Sequence, residues 1–145
     1  MIIKQLSAFI ENKTGRLYAA ADTLAKNGIN ISALSLADTS EFGILRLLVD
    51  DPEKGKQVLA DSGVTVRITH VVALAMDDTP GGAMEILKTL AENNISVEYM
   101  YACVGRQSGK ALMVLRANDN KGAEEALHNA GFNDIDPRDI YRIEA

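Results

Sequence analysis

The sequence predicts an α+β fold made twice over. Each unit runs strand, helix, strand, strand, helix, strand and forms a four-stranded antiparallel sheet with both helices on one face. Three observations predict it. Leu24-Ala25-Lys26-Asn27-Gly28-Ile29-Asn30-Ile31 reappears 66 positions on as Leu90-Ala91-Glu92-Asn93-Asn94-Ile95-Ser96-Val97. Gly15 and Gly43 stand around the first copy as Gly81 and Gly109 stand around the second. Each copy also carries five apolar positions at helical spacing, Leu17, Ala20, Ala21, Leu24 and Ala25 in one and Ala83, Ile86, Leu87, Leu90 and Ala91 in the other. Two copies in 145 residues make a tandem pair, since a repeat array wants at least three. The predicted domains are 1–69 and 70–145.

The elements follow in order. Ile2 to Ile10 is a mixed apolar segment that reads as a strand and ends at the turn signal Asn12-Lys13-Thr14-Gly15. The first helix carries the stripe from Leu17 and stops at Gly28. Ile31 to Ala37 and Phe42 to Val49 form an antiparallel pair joined through Asp38-Thr39-Ser40-Glu41. A helix starts near Pro52, turns Val58 and Leu59 inward and stops at Gly63; Val64 to Ile68 closes the unit. In the second copy Val71 to Met76 is the first strand, followed by the striped helix. Val97 to Val104 and Lys110 to Arg116 form a hairpin with its tip at Gly105 to Gly109, Gly122 to Ala130 is a helix, and Ile140 to Ile143 is the last strand. Only Thr69-His70 separates the copies, so they are adjacent and semi-rigid.

This order is the split strand-helix-strand arrangement of the ferredoxin-like topology. Right-handed crossovers then put both helices on one face. The opposite face is apolar too, because Ile44 and Leu48 flank Arg46 while Leu45, Leu47 and Val49 take the other side. Something besides the helices therefore covers it, either sheet-to-sheet packing or an eight-stranded sheet that stacks in a homodimer. A unit of about 70 residues buries only about 60% of its unfolded surface, which also argues for mutual support.

Composition narrows the function. The chain is 47% hydrophobic and 5% aromatic without Trp, ordinary for a globular protein. A net charge of −5 argues against a nucleic-acid surface and an anionic membrane as partners. The N-terminus lacks a signal-peptide core and the longest apolar run, Val71 to Met76, is too short for a membrane span, so the expected location is cytoplasmic. Cys103, a single cysteine in an apolar strand, supports neither a disulfide framework nor a multi-cysteine metal site and reads as a small hydrophobe. His70 and His128 have no partner at metal-ligand spacing. Asp50-Asp51 and Glu124-Glu125 read as solvated helix starts, and Arg106 as an exposed loop arginine. No phosphate loop, nucleophile elbow or nucleotide fingerprint is present, and neither a catalytic residue, a metal nor a cofactor is predicted.

Asn12-Lys13-Thr14-Gly15-Arg16-Leu17, a helix and then Gly28-Ile29-Asn30-Ile31 resemble the strand–loop–helix signature of ACT domains, small amino-acid-sensing regulatory modules of metabolism. Asp78-Thr79-Pro80-Gly81-Gly82-Ala83 with Asn94-Ile95-Ser96-Val97 resembles it again, and the likeness covers essentially the whole chain without an added catalytic domain. Thr14 departs from the proline frequent in the family, which Pro80 keeps. The resemblance implies that ligands sit where the loop and helix start of one domain face the second strand of the next. The implied ligand residues are Asn12, Lys13, Thr14, Gly15, Arg16 and Leu17 with Asn30 and Ile31, and Asp78, Thr79, Pro80, Gly81, Gly82 and Ala83 with Ser96 and Val97.

Elementary chemistry points the same way. A glycine turn entering a helix offers free N–H groups and the positive end of the helix dipole to a carboxylate. Asn12, Asn30 and Asp78 add groups for an ammonium or carboxylate, although Asn12 and Asp78 would equally serve as helix caps. Tyr99, Met100 and Tyr101 either pack or set selectivity, depending on their face of the sheet. The leading expectation is a non-catalytic sensor of a small ligand, an amino acid, acting as a homodimer. The alternative is an accessory subunit of an amino-acid biosynthetic enzyme. RNA binding on the sheet would need stacked aromatics and basic flanks, which the composition lacks.

Overall fold

The structure is a computed structural model and describes residues 1–38, 41–104 and 108–141. In chain order it has β1 (Ile2–Glu11), α1 (Arg16–Lys26), β2 (Ile31–Asp38), β3 (Phe42–Val49), α2 (Pro52–Asp61) and β4 (Thr65–Asp77). Then come α3 (Gly82–Glu92), β5 (Val97–Val104), β6 (Lys110–Ala117), α4 (Asn120–Asn129) and a 3-10 turn at Pro137–Asp139. The strand, helix, strand, strand, helix pattern recurs as expected, with helix and strand ends within two residues of the sequence reading.

The chain divides into two compact units, one formed by Lys4–Thr69 with the chain from Pro137, the other by Met1–Ile3 with His70–Asp136. In the first, the strand order is β2-β3-β1-β4. Its pairs are antiparallel, with Leu6 opposite Leu47 and Leu36 opposite Leu45. In the second, β6 lies between β4 and β5, with Leu74 opposite Met113 and Met100 opposite Leu115. Both units are ferredoxin-like, with antiparallel sheets and their two helices on one side.

Two expectations are corrected. The segments expected at Val64 to Ile68 and Val71 to Met76 are not separate strands but one, β4, which starts at Thr65, because neither Thr69 nor His70 is a glycine or proline that would break the ladder. The last strand, expected at Ile140 to Ile143, does not form at Ile140 or Tyr141, which follow the 3-10 turn; residues 142–143 lie outside the described residues. The reason is local, since the N–H groups of Ile140 and Tyr141 both donate to Pro137 O, at 3.1 and 2.8 Å, and neither is left for a strand ladder. Beside β4 in the second unit, Ala73 N donates to Met1 O at 2.8 Å and Ala75 N to Asn133 O at 3.0 Å. The hairpin tips expected at 39–40 and 105–107, with Arg106, also lie outside the described residues.

Each unit has its own helix-facing core. Leu6, Ala8, Leu24, Leu47 and Leu59 anchor the first; Val72, Ile86, Leu90, Leu115 and Leu127 anchor the second. The predicted five-position stripes narrow to Ala20 with Leu24 and to Ile86 with Leu90. Their outer members Leu17 and Leu87 are 40% and 41% exposed, as only the centre of each stripe meets the sheet. The opposite faces are buried in part, with Gln5, Ser7, Leu48 and Thr69 buried in the first unit, where Phe9 stays 41% exposed, and Ala73 and Val114 buried in the second. Three of the polar side chains there meet one another, for Gln5 Nε2 donates to Ser7 Oγ at 3.2 Å and Ser7 Oγ lies 2.9 Å from Thr69 Oγ1. The C-terminal segment covers part of the first unit. Ile140 is buried, its carbonyl accepts from Ser32 Oγ at 3.4 Å, and Tyr141 OH accepts from Lys4 N at 2.6 Å.

Candidate functional site

The loop after β1 is held by backbone. Asn12 N donates to Glu41 O at 3.0 Å, Lys13 N to Glu11 O at 2.8 Å and Arg16 N to Lys13 O at 3.2 Å. The chain then enters α1 through Gly15, left-handed at φ 86°, a conformation glycine adopts without a Cβ penalty. The second unit repeats the device, with Asp78 N donating to Gly109 O, Gly82 N to Thr79 O, and Gly81 at φ 89°. Neither α1 nor α3 has a side-chain cap, so Asn12 and Asp78 do not cap them. By contrast Asp51 caps α2 through Lys54 N at 3.2 Å, and Asp119 caps α4 through Gly122 N at 2.9 Å. The loop-entered helices thus leave first-turn N–H groups, including that of Leu17, without a side-chain acceptor, and the helix dipole favours an anion there.

In the first unit this helix start borders a cavity of about 410 Å³. Asn12, Lys13 and Leu17 line it together with Ile10, Glu11, Leu36 and Gly43. Lys13 Nζ lies 3.2 Å from Glu11 Oε2, which puts a cation and a carboxylate on one rim. Arg16 turns to a smaller cavity of about 220 Å³, where it meets Ala19, Thr23 and Phe42, and its Nη2 is 3.8 Å from Glu11 Oε2. Thr14 and Gly15 shape the exposed loop and line neither cavity.

Asn30 and Ile31 do not join this cluster within their unit. They lie beyond the far end of α1, whose 11 residues rise about 16 Å. The backbone of Asn30 is engaged, its N–H donating to Asp50 Oδ1 at 2.9 Å and its carbonyl accepting from Asp50 N at 3.1 Å. Ser96 and Asn118 make the same pair at 3.0 Å in both directions. Asp50 is therefore a clasp on the start of β2 and Asp51 a helix cap, more than solvated charges. Ser96 and Val97 likewise sit across α3 from Asp78, Thr79, Pro80, Gly81, Gly82 and Ala83. In that second loop Asp77 pairs with Lys110, and a Cβ on Gly82 would lie 2.0 Å from Asp77 O, so glycine is required there for packing.

The register decides the face of the aromatic strand. Met100 opposes Leu115 on the helix side, while Tyr101 and Cys103 oppose Val114 and Leu112 on the other. Burial pushes the Cys103 thiol up from its ordinary range, which lowers its thiolate fraction at neutral pH. Among the described residues no group of three or more His, Cys, Asp or Glu is placed to hold a metal, and no helix is long and apolar enough to cross a membrane. Ile10, Glu11 and Leu36 were not singled out from sequence. Gly43, repeated as Gly109, was the one signal pointing to this end of the hairpin.

A duplicated ferredoxin-like unit, with a glycine-entered first helix in each copy, defines a tandem pair of small α+β domains. The chain belongs to the ACT domain pair family, whose family model matches residues 1–143. A protein from Bacteroides thetaiotaomicron, known by its crystal structure, is 36% identical and superposes with a TM-score of 0.90, covering 99% of this chain and 98% of that one. The ligand-free regulatory subunit of aspartate kinase from Thermus thermophilus shares the fold at 15% identity and a TM-score of 0.62, over 90% of this chain and 97% of that one. The regulatory subunit of aspartate kinase from Thermus flavus shares it at 15% identity and a TM-score of 0.60, over 90% of this chain and 95% of that one. The search of curated proteins gives no match.

Proposed function

We propose that this ACT domain pair is a non-catalytic regulatory protein that binds a small amino acid at the loop and helix start after β1. The observation that carries the reading is the 410 Å³ cavity lined by Asn12, Lys13 and Leu17 beside the uncapped start of α1. It offers first-turn N–H groups and Lys13 to a carboxylate and Glu11 to an ammonium, the two charges of an α-amino acid. The loop Asp78 to Ala83 is its counterpart in the second unit. Asn30, Ile31, Ser96 and Val97 enter the proposal as contacts from a second copy of the chain, in a cytoplasmic homodimer.

Occupancy would shift the protein toward whichever arrangement binds the ligand better, and the size of the switch is set by that differential affinity. A melting screen against the standard amino acids tests the reading. A ligand at 100 times its dissociation constant adds about 2.7 kcal/mol, roughly 5–10 °C for a chain of this size. No shift with any of them at millimolar concentration overturns it.

The second reading, an accessory subunit of an amino-acid biosynthetic enzyme, is supported by the fold shared with aspartate kinase regulatory subunits. Co-purification of a larger catalytic chain with the tagged protein would distinguish this role from free-standing sensing.

A further inference from the structure

We infer that the ligand of the first unit is an α-amino acid with an aliphatic side chain, held by Ile10, Leu17 and Leu36. The inference rests on the loop reading above and adds the class of ligand. These three residues come from β1, α1 and β2 and converge on the 410 Å³ cavity. Leu17 is 40% and Leu36 49% exposed, so two large apolar side chains stand half in water, and a bound aliphatic group would cover them.

Among the described residues the charged ones lining the cavity are Glu11 and Lys13, already at ion-pair distance from each other. One carboxylate and one cation match the α-ammonium and α-carboxylate of a zwitterion, while Arg16, 3.8 Å from Glu11 Oε2, lines the neighbouring cavity. A polar side chain entering between Ile10, Leu17 and Leu36 would give up hydration against three apolar neighbours, with Asn12 the one uncharged polar side chain among the described lining residues. Gly43 sets the width of the slot. A Cβ there would lie 2.9 Å from Leu36 Cδ1, the far end of a flexible side chain, so Gly43→Ala displaces Leu36 rather than the backbone.

Titration calorimetry of the full chain with leucine, isoleucine, valine, alanine, serine, aspartate and lysine tests the proposal. Leucine, isoleucine or valine should bind at least about tenfold tighter than alanine, as the extra methylenes require in an apolar slot. Serine, aspartate and lysine should bind more weakly still. Leu36→Asn should weaken the best aliphatic ligand by tenfold or more, and Gly43→Ala should weaken it too, each with the melting temperature of the free protein nearly unchanged. Tightest binding of serine, aspartate or lysine overturns the aliphatic slot while leaving amino-acid sensing intact. Undiminished aliphatic binding by both variants also overturns the slot. Silence from all seven ligands removes the slot and, with the wider melting screen, separates its failure from that of the sensor.

Discussion

Gly82 is where the two copies of the loop part company. Its Cβ position lies 2.0 Å from Asp77 O and 3.1 Å from Asp77 C, both backbone atoms that cannot swing away. In the first unit Arg16 follows Gly15 at the corresponding place and carries a long side chain. Gly82→Ala should therefore destabilise the protein by about 1–3 kcal/mol, the usual cost of forcing atoms into filled space. Urea unfolding at constant slope reads this directly, and an unchanged midpoint would show that the loop relaxes freely. From sequence, the resemblance implies Gly81 and Gly82 alike as ligand residues. A ligand-facing glycine and a strand-facing glycine lack the same atoms, so only the fold separates them. Lys13 and Leu17 could be proposed from sequence because the loop is contiguous. Leu36 could not, because the fold brings it to that loop from the next strand.

The repeated octapeptide has its first explanation at the level of the helix. Leu24 to Ile29 ends α1 with Gly28 N donating to Ala25 O at 3.0 Å and Ile29 N to Leu24 O at 3.0 Å, around Gly28 at φ 70°. This pair of bonds is a Schellman stop. Leu90 to Ile95 ends α3 in the same way around Asn94 at φ 56°. α2 and α4 use it too, at Leu59 to Val64 and Leu127 to Phe132. In all four the leucine is buried and the residue after the left-handed position packs on the same core. Gly28→Ala should cost about 1–2 kcal/mol, the penalty of a Cβ in left-handed backbone, and Asn94→Ala less, because Asn94 already carries a Cβ and loses only its side chain's local hydrogen bonding. Alanine tolerated without loss at both, measured by urea unfolding, would mean that the stops frame the helices without holding them. The glycine stops at Gly28 and Gly63 were legible from position alone. Asn94 hid its equivalence because asparagine reaches the same backbone region through different chemistry. Gly28-Ile29 and Asn94-Ile95, the first halves of the segments that resemble the ACT signature, are accordingly helix terminators.

For the whole molecule, the sequence shows the duplication but not where each unit recruits its last pieces. A break between residues 69 and 70 looks natural from the repeat, with only two residues between the expected strands. The structure carries β4 straight through that point as one strand, Thr65–Asp77. Each unit also includes residues from the far end of the sequence, Met1–Ile3 in the second and the chain from Pro137 in the first. Pairing partners so distant in sequence leave no periodic trace, and the burial of Ile140 is a product of chain closure rather than of any local pattern. A fragment 1–69 would lose Ile140 and the Tyr141 bond to Lys4 N, while a fragment 70–145 would lose the Met1 bond to Ala73 N. Units of about 70 residues have little stability to spare, and burying one isoleucine contributes about 1.5–3 kcal/mol. Each fragment alone should therefore melt well below the intact chain or fail to melt cooperatively, as followed by circular dichroism. Mixing them should restore part of the transition, since the missing segments are then supplied in trans. If either fragment alone matched the intact midpoint, the terminal segments would be ornaments on self-sufficient domains, and the boundary implied by the repeat would also be the boundary of folding.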